Sequence, residues 1–160
     1  MIDLTKDIKS YLSFKVGEEL FAINAMHIHS IIEQMPITKV PHMPEFVLGI
    51  INLREQAIPV VDTRIQFGMP PSEATLNTCI IILEINSNEN TLLIGCLVDA
   101  VSEVIEIDKD KIQPTPDIGG KYKSELITGV IQNEDSFIMV LDANELFAGD
   151  SIIAISENTK

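Results

Sequence analysis

The sequence predicts a mainly β protein, two pseudo-repeated five-stranded barrels packed side by side with short helical turns, and three observations support that reading. Ten short runs of β-branched and aliphatic residues recur along the chain, at 11–16, 19–23, 30–35, 46–53, 57–61, 78–85, 92–98, 101–107, 126–132 and 136–141. Between paired runs stand Gly17-Glu18 and the segments 54–56, 86–90 and 133–135, which carry the polar or Gly residues that hairpin turns require. Finally, the segment GIINLREQAIPVVDTRIQF at 49–67 returns without a gap as GVIQNEDSFIMVLDANELF at 129–147, an offset of 80 (129 − 49 = 80).

Gly49 aligns with Gly129, Ile51 with Ile131, Ile58 with Ile138, Val60 with Val140, Asp62 with Asp142 and Phe67 with Phe147. A looser echo at an offset of 75 sets Ala25, Ile37 and Pro41 against Ala100, Ile112 and Pro116. Chance matching of Ile and Val in an aliphatic chain is the alternative, but the matched Gly and Asp frame the same apolar alternation in both copies. The offset exceeds the roughly 20 to 50 residue period of solenoids, so two small modules fused side by side are expected. Hairpins dominate the connections, which predicts antiparallel sheets. Pro59 cannot donate to a ladder, so its strand is expected at an edge or a bulge. The runs 62–67 and 142–147 each follow a strand and open on Asp, a residue that caps the free N–H groups of a helical turn.

Five strongly twisted strands close most economically as a small barrel of the SH3-like kind. Two of them leave a groove, expected between the strands that follow Asn24-Ala25 and Asp99-Ala100, with Ile28, Ile31, Val101 and Val104 near it.

With 160 residues, 46% of them hydrophobic, the chain can bury a sizeable core as one unit of two lobes. A formal net charge of −13, from 11 Lys and Arg against 24 Asp and Glu, removes the attraction on which nucleic-acid binding rests and disfavours anionic membranes. The N-terminal residues lack a basic segment followed by an apolar stretch, and the longest apolar runs, FVLGII and CIIIL, fall well short of the ~20 residues that span a bilayer. A cytoplasmic protein is expected.

Cys79 and Cys96 lie inside aliphatic runs and read as small buried hydrophobes, not as a disulfide or a zinc site. His27 and His29 fall on one face if that segment is a strand, but two ligands make no metal site; with His42 they read as surface residues. No cofactor is expected, since no phosphate loop, Ser-His-Asp set or Cys-His pair presents itself. Asp62 and Asp142 at equivalent positions raise the alternative of a duplicated two-lobed aspartic hydrolase, whose carboxylates share a proton. Neither Asp is followed by the small Gly that would let two such loops meet, and a bilobal protease needs about twice this length. Capping is the preferred role for both.

The run PEFVLGIINLR at 44–54, followed by IPVVDTR at 58–64, resembles the central signature of CheW-type chemotaxis coupling proteins, and segments 108–116 and 126–142 are similar to the same family. The resemblance covers 11–147, nearly the whole chain, and implies a single CheW-like domain of two interleaved β-barrel lobes, with a lead at 1–10 and a tail at 148–160. It implies no catalytic activity. The implied partners are the regulatory domain of the histidine kinase CheA and the cytoplasmic tips of methyl-accepting chemoreceptors, with the protein held at receptor arrays on the inner face of the membrane and neither nucleic acid nor membrane insertion involved. Partner-binding residues are expected to be Arg54, Ile28, Ser30, Ile31, Gly49, Val101 and Val104. Arg54 suits an interface anchor, a lone guanidinium on a hairpin tip of an acidic protein. The chain departs from the signature at Glu55, where Gly is usual, and at Ser30, where the family often has Glu. A carboxylate at position 30 could pair with Arg54, so its absence implies that Arg54 is held differently here or is freer to meet a partner. In the tail, Ile152, Ile153 and Ile155 suggest docking on the body.

Overall fold

The computed structural model describes residues 8–70, 72–87, 90–114 and 127–146. The ten expected strands are present: β1 Ile8–Val16, β2 Glu19–Asn24, β3 Ile28–Glu33, β4 Val47–Leu53, β5 Gln56–Asp62, β6 Cys79–Ser87, β7 Asn90–Val98, β8 Ala100–Asp108, β9 Ile127–Asn133 and β10 Ser136–Leu141. Two short helices, α1 Thr63–Gln66 and α2 Ala143–Leu146, follow β5 and β10. The tail beyond 147 lies outside the described residues. β1 starts three residues before its apolar run because Ile8 and Lys9 pair with Asp108 and Ile107 of β8, a partner that local sequence does not reveal. β3 starts at Ile28 because the Asn24 side chain accepts from the Met26 amide and winds 25–27 into a 3-10 turn that ends there.

The strands form two five-stranded sheets, β8-β1-β2-β10-β9 and β3-β6-β7-β5-β4, the architecture of two SH3-like barrels. They are mixed and not purely antiparallel. The hairpins β1-β2, β4-β5, β6-β7 and β9-β10 are antiparallel as expected, but β10 pairs with β2, and β5 with β7, in parallel. Nor is each barrel one half of the sequence. β3 to β7 make one, while β1 and β2 join β8, β9 and β10 in the other. Asp99 alone separates β7 from β8, too short a link to fold back, so the chain passes directly into the other sheet.

The two repeat offsets converge on one structural device. Thr38 and Ile50 exchange both backbone hydrogen bonds at 2.8 Å, and Gln113 and Val130 do the same at 2.8 Å. These bridges link the segment after β3 to β4 and the segment after β8 to β9, the terminal strands of each sheet, and so close each barrel. They are equivalent across the repeat (113 − 38 = 75; 130 − 50 = 80). Beneath each strap lies a matched glycine. A Cβ on Gly49 would run into the Thr38 carbonyl, and one on Gly129 would meet Ile112 Cγ2 and the Gln113 carbonyl.

Pro59 sits in an interior strand, with β7 on one side and β4 on the other and not at an edge, but the expected bulge stands beside it, where the β4-β5 register shifts between Val47 and Gly49. Its position is tolerated because Ile50, opposite it, turns its own N–H and C=O to Thr38, so β4 needs no donor there. Pairing of β5 with β7 begins one residue later, at Val60.

Burial on both faces of β6 explains its unbroken CIIIL run. Ile80 and Ile82 pack with Ile51, Ile58 and Val60 inside one barrel. Ile81, Leu83 and Ile85 face the other way and join Leu12, Phe14, Val16, Phe21 and Ile23 of the other sheet, with Ile94, Cys96 and Val98, in a core shared by both. Phe21 of β2 packs on Phe67 beyond α1 with ring centroids 4.8 Å apart. Non-directional apolar burial of this kind joins the barrels into one body.

The β4-β5 turn consists of Arg54 and Glu55, with φ of 52° and 67°. Both lie in the left-handed region that a two-residue hairpin of this hand requires and that side chains other than Gly resist. This explains why glycine is preferred at position 55, and Glu55 bears the left-handed conformation as local strain. Glu55→Gly is expected to stabilise the fold by about 0.5–1 kcal/mol in thermal or denaturant unfolding.

Candidate partner-binding site

Four of the expected site residues fall into two equivalent pairs. Ile28 and Ile31 lie on β3, opposite Leu83 and Ile81; Val101 and Val104 lie on β8, opposite Phe14 and Leu12. The pairs match at an offset of 73 (101 − 28 = 73; 104 − 31 = 73), and each ladder is interrupted by a bulge at the corresponding place, between Ile28 and Ser30 and between Leu12 and Phe14. Ile28 and Val101 rest half-buried on the shared core, whereas Ile31 and Val104 stand 45% and 62% exposed. Each terminal strand therefore offers one anchored and one open aliphatic side chain, both beside the junction of the barrels.

Arg54 is exposed at its hairpin tip and forms no hydrogen bond or ion pair among the described residues. At the equivalent tip of the other barrel stands Glu134, with φ of 54° (134 − 54 = 80). The tips thus place opposite charges on similar backbone, so Arg54 is distinguished by charge and not by shape. Ser30 is half-buried opposite Ile82, and its Oγ lies 3.2 Å from His29 Nδ1. Gly49 is buried beneath the Thr38 strap, so its contribution to any interface is to hold β4 in place.

The aspartates take local roles. Asp62 Oδ1 accepts from the Arg64 amide at 2.9 Å, and Asp142 Oδ1 from the Asn144 amide at 3.0 Å, each opening its own short helix. The carboxylates serve different barrels and make no dyad. Asp62→Asn, which preserves a competent cap, is expected to cost on the order of 1 kcal/mol or less and to leave partner binding intact. Paired thermal melts and binding titrations would show this, and a folded Asp62→Asn protein without binding would refute it.

His27 belongs to the 3-10 turn and His29 to the bulged start of β3, so the two do not share a strand face, while His42 stands in a turn with φ of 64°. Among the described residues no three His, Cys, Asp or Glu side chains gather where they would hold a metal ion. Burial pushes both the Cys79 and the Cys96 thiols above the usual range, the former against a smaller opposing effect of a backbone hydrogen bond with Val101, so neither is an activated nucleophile. A cavity of about 300 Å³ opens at the end of one barrel, lined by Lys9, Tyr11, Asn24, Ile107, Lys109, Ile112 and Thr128. It contains none of the expected site residues.

One constellation escaped the sequence reading. Arg64, on α1 of one barrel, makes a bidentate pair with Asp99, Nε to Oδ1 at 3.0 Å and Nη2 to Oδ2 at 2.7 Å. The same Asp99 Oδ2 accepts from the Gly17 amide in the β1-β2 turn of the other barrel, while the Asp99 amide donates to the Lys15 carbonyl at 3.0 Å. Both residues stand in segments singled out above, but nothing in their 35-residue separation signals that they meet.

Two closed barrels on one shared core, with aliphatic edges, a cationic hairpin tip and aspartates committed to helix caps, define a protein-interaction scaffold. Comparison with known proteins places it further: the chain belongs to the CheW-like domain family, whose model matches residues 10–151. It is 34% identical to the chemotaxis protein CheW of Rhizobium meliloti over 92% of each chain, and 30% identical to a probable chemotaxis protein CheW of Rhizobium etli over 91% of each. Among solved structures it is similar to the scaffolding protein TtCheW of Thermoanaerobacter tengcongensis, with a TM-score of 0.79, 33% identity and 91% of each chain covered.

Proposed function

We propose that this chain is a non-catalytic adaptor that couples the cytoplasmic tips of methyl-accepting chemoreceptors to the regulatory domain of a CheA-type histidine kinase. The observation that carries this reading is the pair of equivalent aliphatic edges, Ile28 with Ile31 and Val101 with Val104, flanking the shared core of a member of the CheW-like family. Exposed apolar side chains beside a rigid core provide what a partner helix needs: area to exclude water and a fixed surface to pack on. Arg54 adds a charge that selects an acidic partner from an otherwise acidic surface. Receptors placed at the membrane would hold the adaptor at its inner face, and no helix among the described residues is long and apolar enough to cross it. The test is pairwise titration of the purified protein with a kinase regulatory domain and with a receptor tip fragment. Saturable binding to each supports the proposal; binding to neither removes it.

A further inference from the structure

We propose that Asp99 is a positioning residue that fixes the angle between the two barrels, and that a partner bridging their two aliphatic edges depends on that angle. The binding half of the proposal rests on the adaptor reading above; the orientation half does not. Asp99 lies at the single-residue passage from one sheet to the other. Its carboxylate ties this passage to two elements: both oxygens meet the Arg64 guanidinium of one barrel, and Oδ2 also accepts from the Gly17 amide of the other. The Arg64 and Asp99 side chains are 20% and 27% exposed, sheltered enough for the pair to hold one geometry. Gly17 is itself confined, with φ of 64° and Met69 Sδ 3.1 Å from where a Cβ would stand.

The division of labour follows from the physics. The shared apolar core contributes most of the attraction between the barrels, but apolar contact is non-directional and tolerates small rotations. A two-pronged guanidinium-carboxylate contact is planar and directional, so it selects one orientation. The repeat supplies an internal comparison. At the offsets of 75 and 80, Asp99 corresponds to Asn24 and Arg64 to Asn144 (99 − 75 = 24; 64 + 80 = 144). Neither counterpart carries a charge, and the Asn24 side chain accepts locally from the Met26 amide, so no guanidinium-carboxylate pair can form at the equivalent place. The joint is built at one end only.

The experiment measures distances between spin labels on the whole protein, at Gln56→Cys in one barrel and Gln132→Cys in the other, both exposed, with Cys79→Ala to remove the half-buried thiol. Asp99→Ala is expected to broaden the distance distribution roughly twofold or to shift its mean, with Asp99→Asn intermediate because it retains an acceptor for Gly17 but loses the charge. Arg64→Met removes the charge and keeps the packed stem, and serves where Asp99→Ala fails to fold. In parallel, the affinity for the receptor tip fragment is expected to fall about tenfold in the same variants, through lost preorganisation. Superimposable distributions for Arg64→Met and the parent overturn the proposal. Altered distances with unchanged receptor affinity overturn its binding half. Altered distances in a protein whose parent form binds neither partner count against the adaptor reading and leave the joint standing.

Discussion

Gly49→Ala is expected to lower the free energy of unfolding by about 3–5 kcal/mol, enough to threaten folding at growth temperature. The added methyl group would be driven into the Thr38 carbonyl, with the Thr38 carbonyl carbon 2.8 Å and Ile37 Cγ2 3.0 Å away. Backbone cannot yield as a flexible side chain does. Relief requires moving the strap, which breaks the two 2.8 Å hydrogen bonds between Thr38 and Ile50 and opens the barrel at its only described closing bridge. A φ of 147° adds backbone strain for any residue with a side chain. Gly68→Ala is the control: its φ of 78° imposes the left-handed penalty, but a Cβ there meets nothing within 4 Å, so a loss of about 1 kcal/mol is expected. Denaturant unfolding of the two variants separates steric exclusion from conformational preference. Equal losses would mean that the strap yields and that closure is not what Gly49 protects. Gly129→Ala, beneath the equivalent strap, meets Ile112 Cγ2 and the Gln113 carbonyl without a positive φ, so a somewhat smaller loss than that of Gly49→Ala is expected.

The second large effect falls on binding and leaves the fold alone. Arg54 is exposed in a two-residue turn without a partner among the described residues, so Arg54→Ala should change stability by no more than about 0.5 kcal/mol. As an interface anchor paired with a partner carboxylate, it should cost on the order of 2 kcal/mol of binding when truncated, roughly thirtyfold in Kd. Arg54→Glu should cost more, because it adds repulsion to the lost attraction. Ser30→Glu is the companion variant, expected to tether the guanidinium and alter affinity, with no effect in an Arg54→Ala background. Melts beside titrations distinguish the cases. Unchanged affinity for both partners in a folded Arg54→Glu protein would remove Arg54 from the site.

These two residues also show where the sequence was readable. Asp62 and Asp142 were legible as caps because a cap is local, reaching two residues along the chain. The glycines were legible as a match but not as a mechanism, since the atoms that exclude a side chain at Gly49 belong to a strap eleven residues away (49 − 38 = 11). Hairpins could be read from their turn residues, whereas the parallel pairings of β2 with β10 and of β5 with β7 join segments that no local pattern connects. The edge expected for Pro59 fails for a related reason: whether a strand can do without one N–H depends on its neighbours, here on Ile50 bonding to Thr38. The four aliphatic candidates for the site were legible as apolar positions beside Asn24-Ala25 and Asp99-Ala100, but their equivalence rests on matched registers and bulges that only the fold reveals. The Arg64 and Asp99 pair was invisible for want of any such cue.

An adaptor must hold two partners at once. Sedimentation velocity of the purified chain mixed with a kinase regulatory domain and a receptor tip fragment, each labelled with a distinct chromophore, reads this directly. The account predicts a faster boundary that carries both chromophores, forms only when the chain is present, and weakens with Arg54→Glu. Two separate binary complexes that displace one another as either partner is added would show the surfaces to be mutually exclusive, and would contradict coupling by this chain.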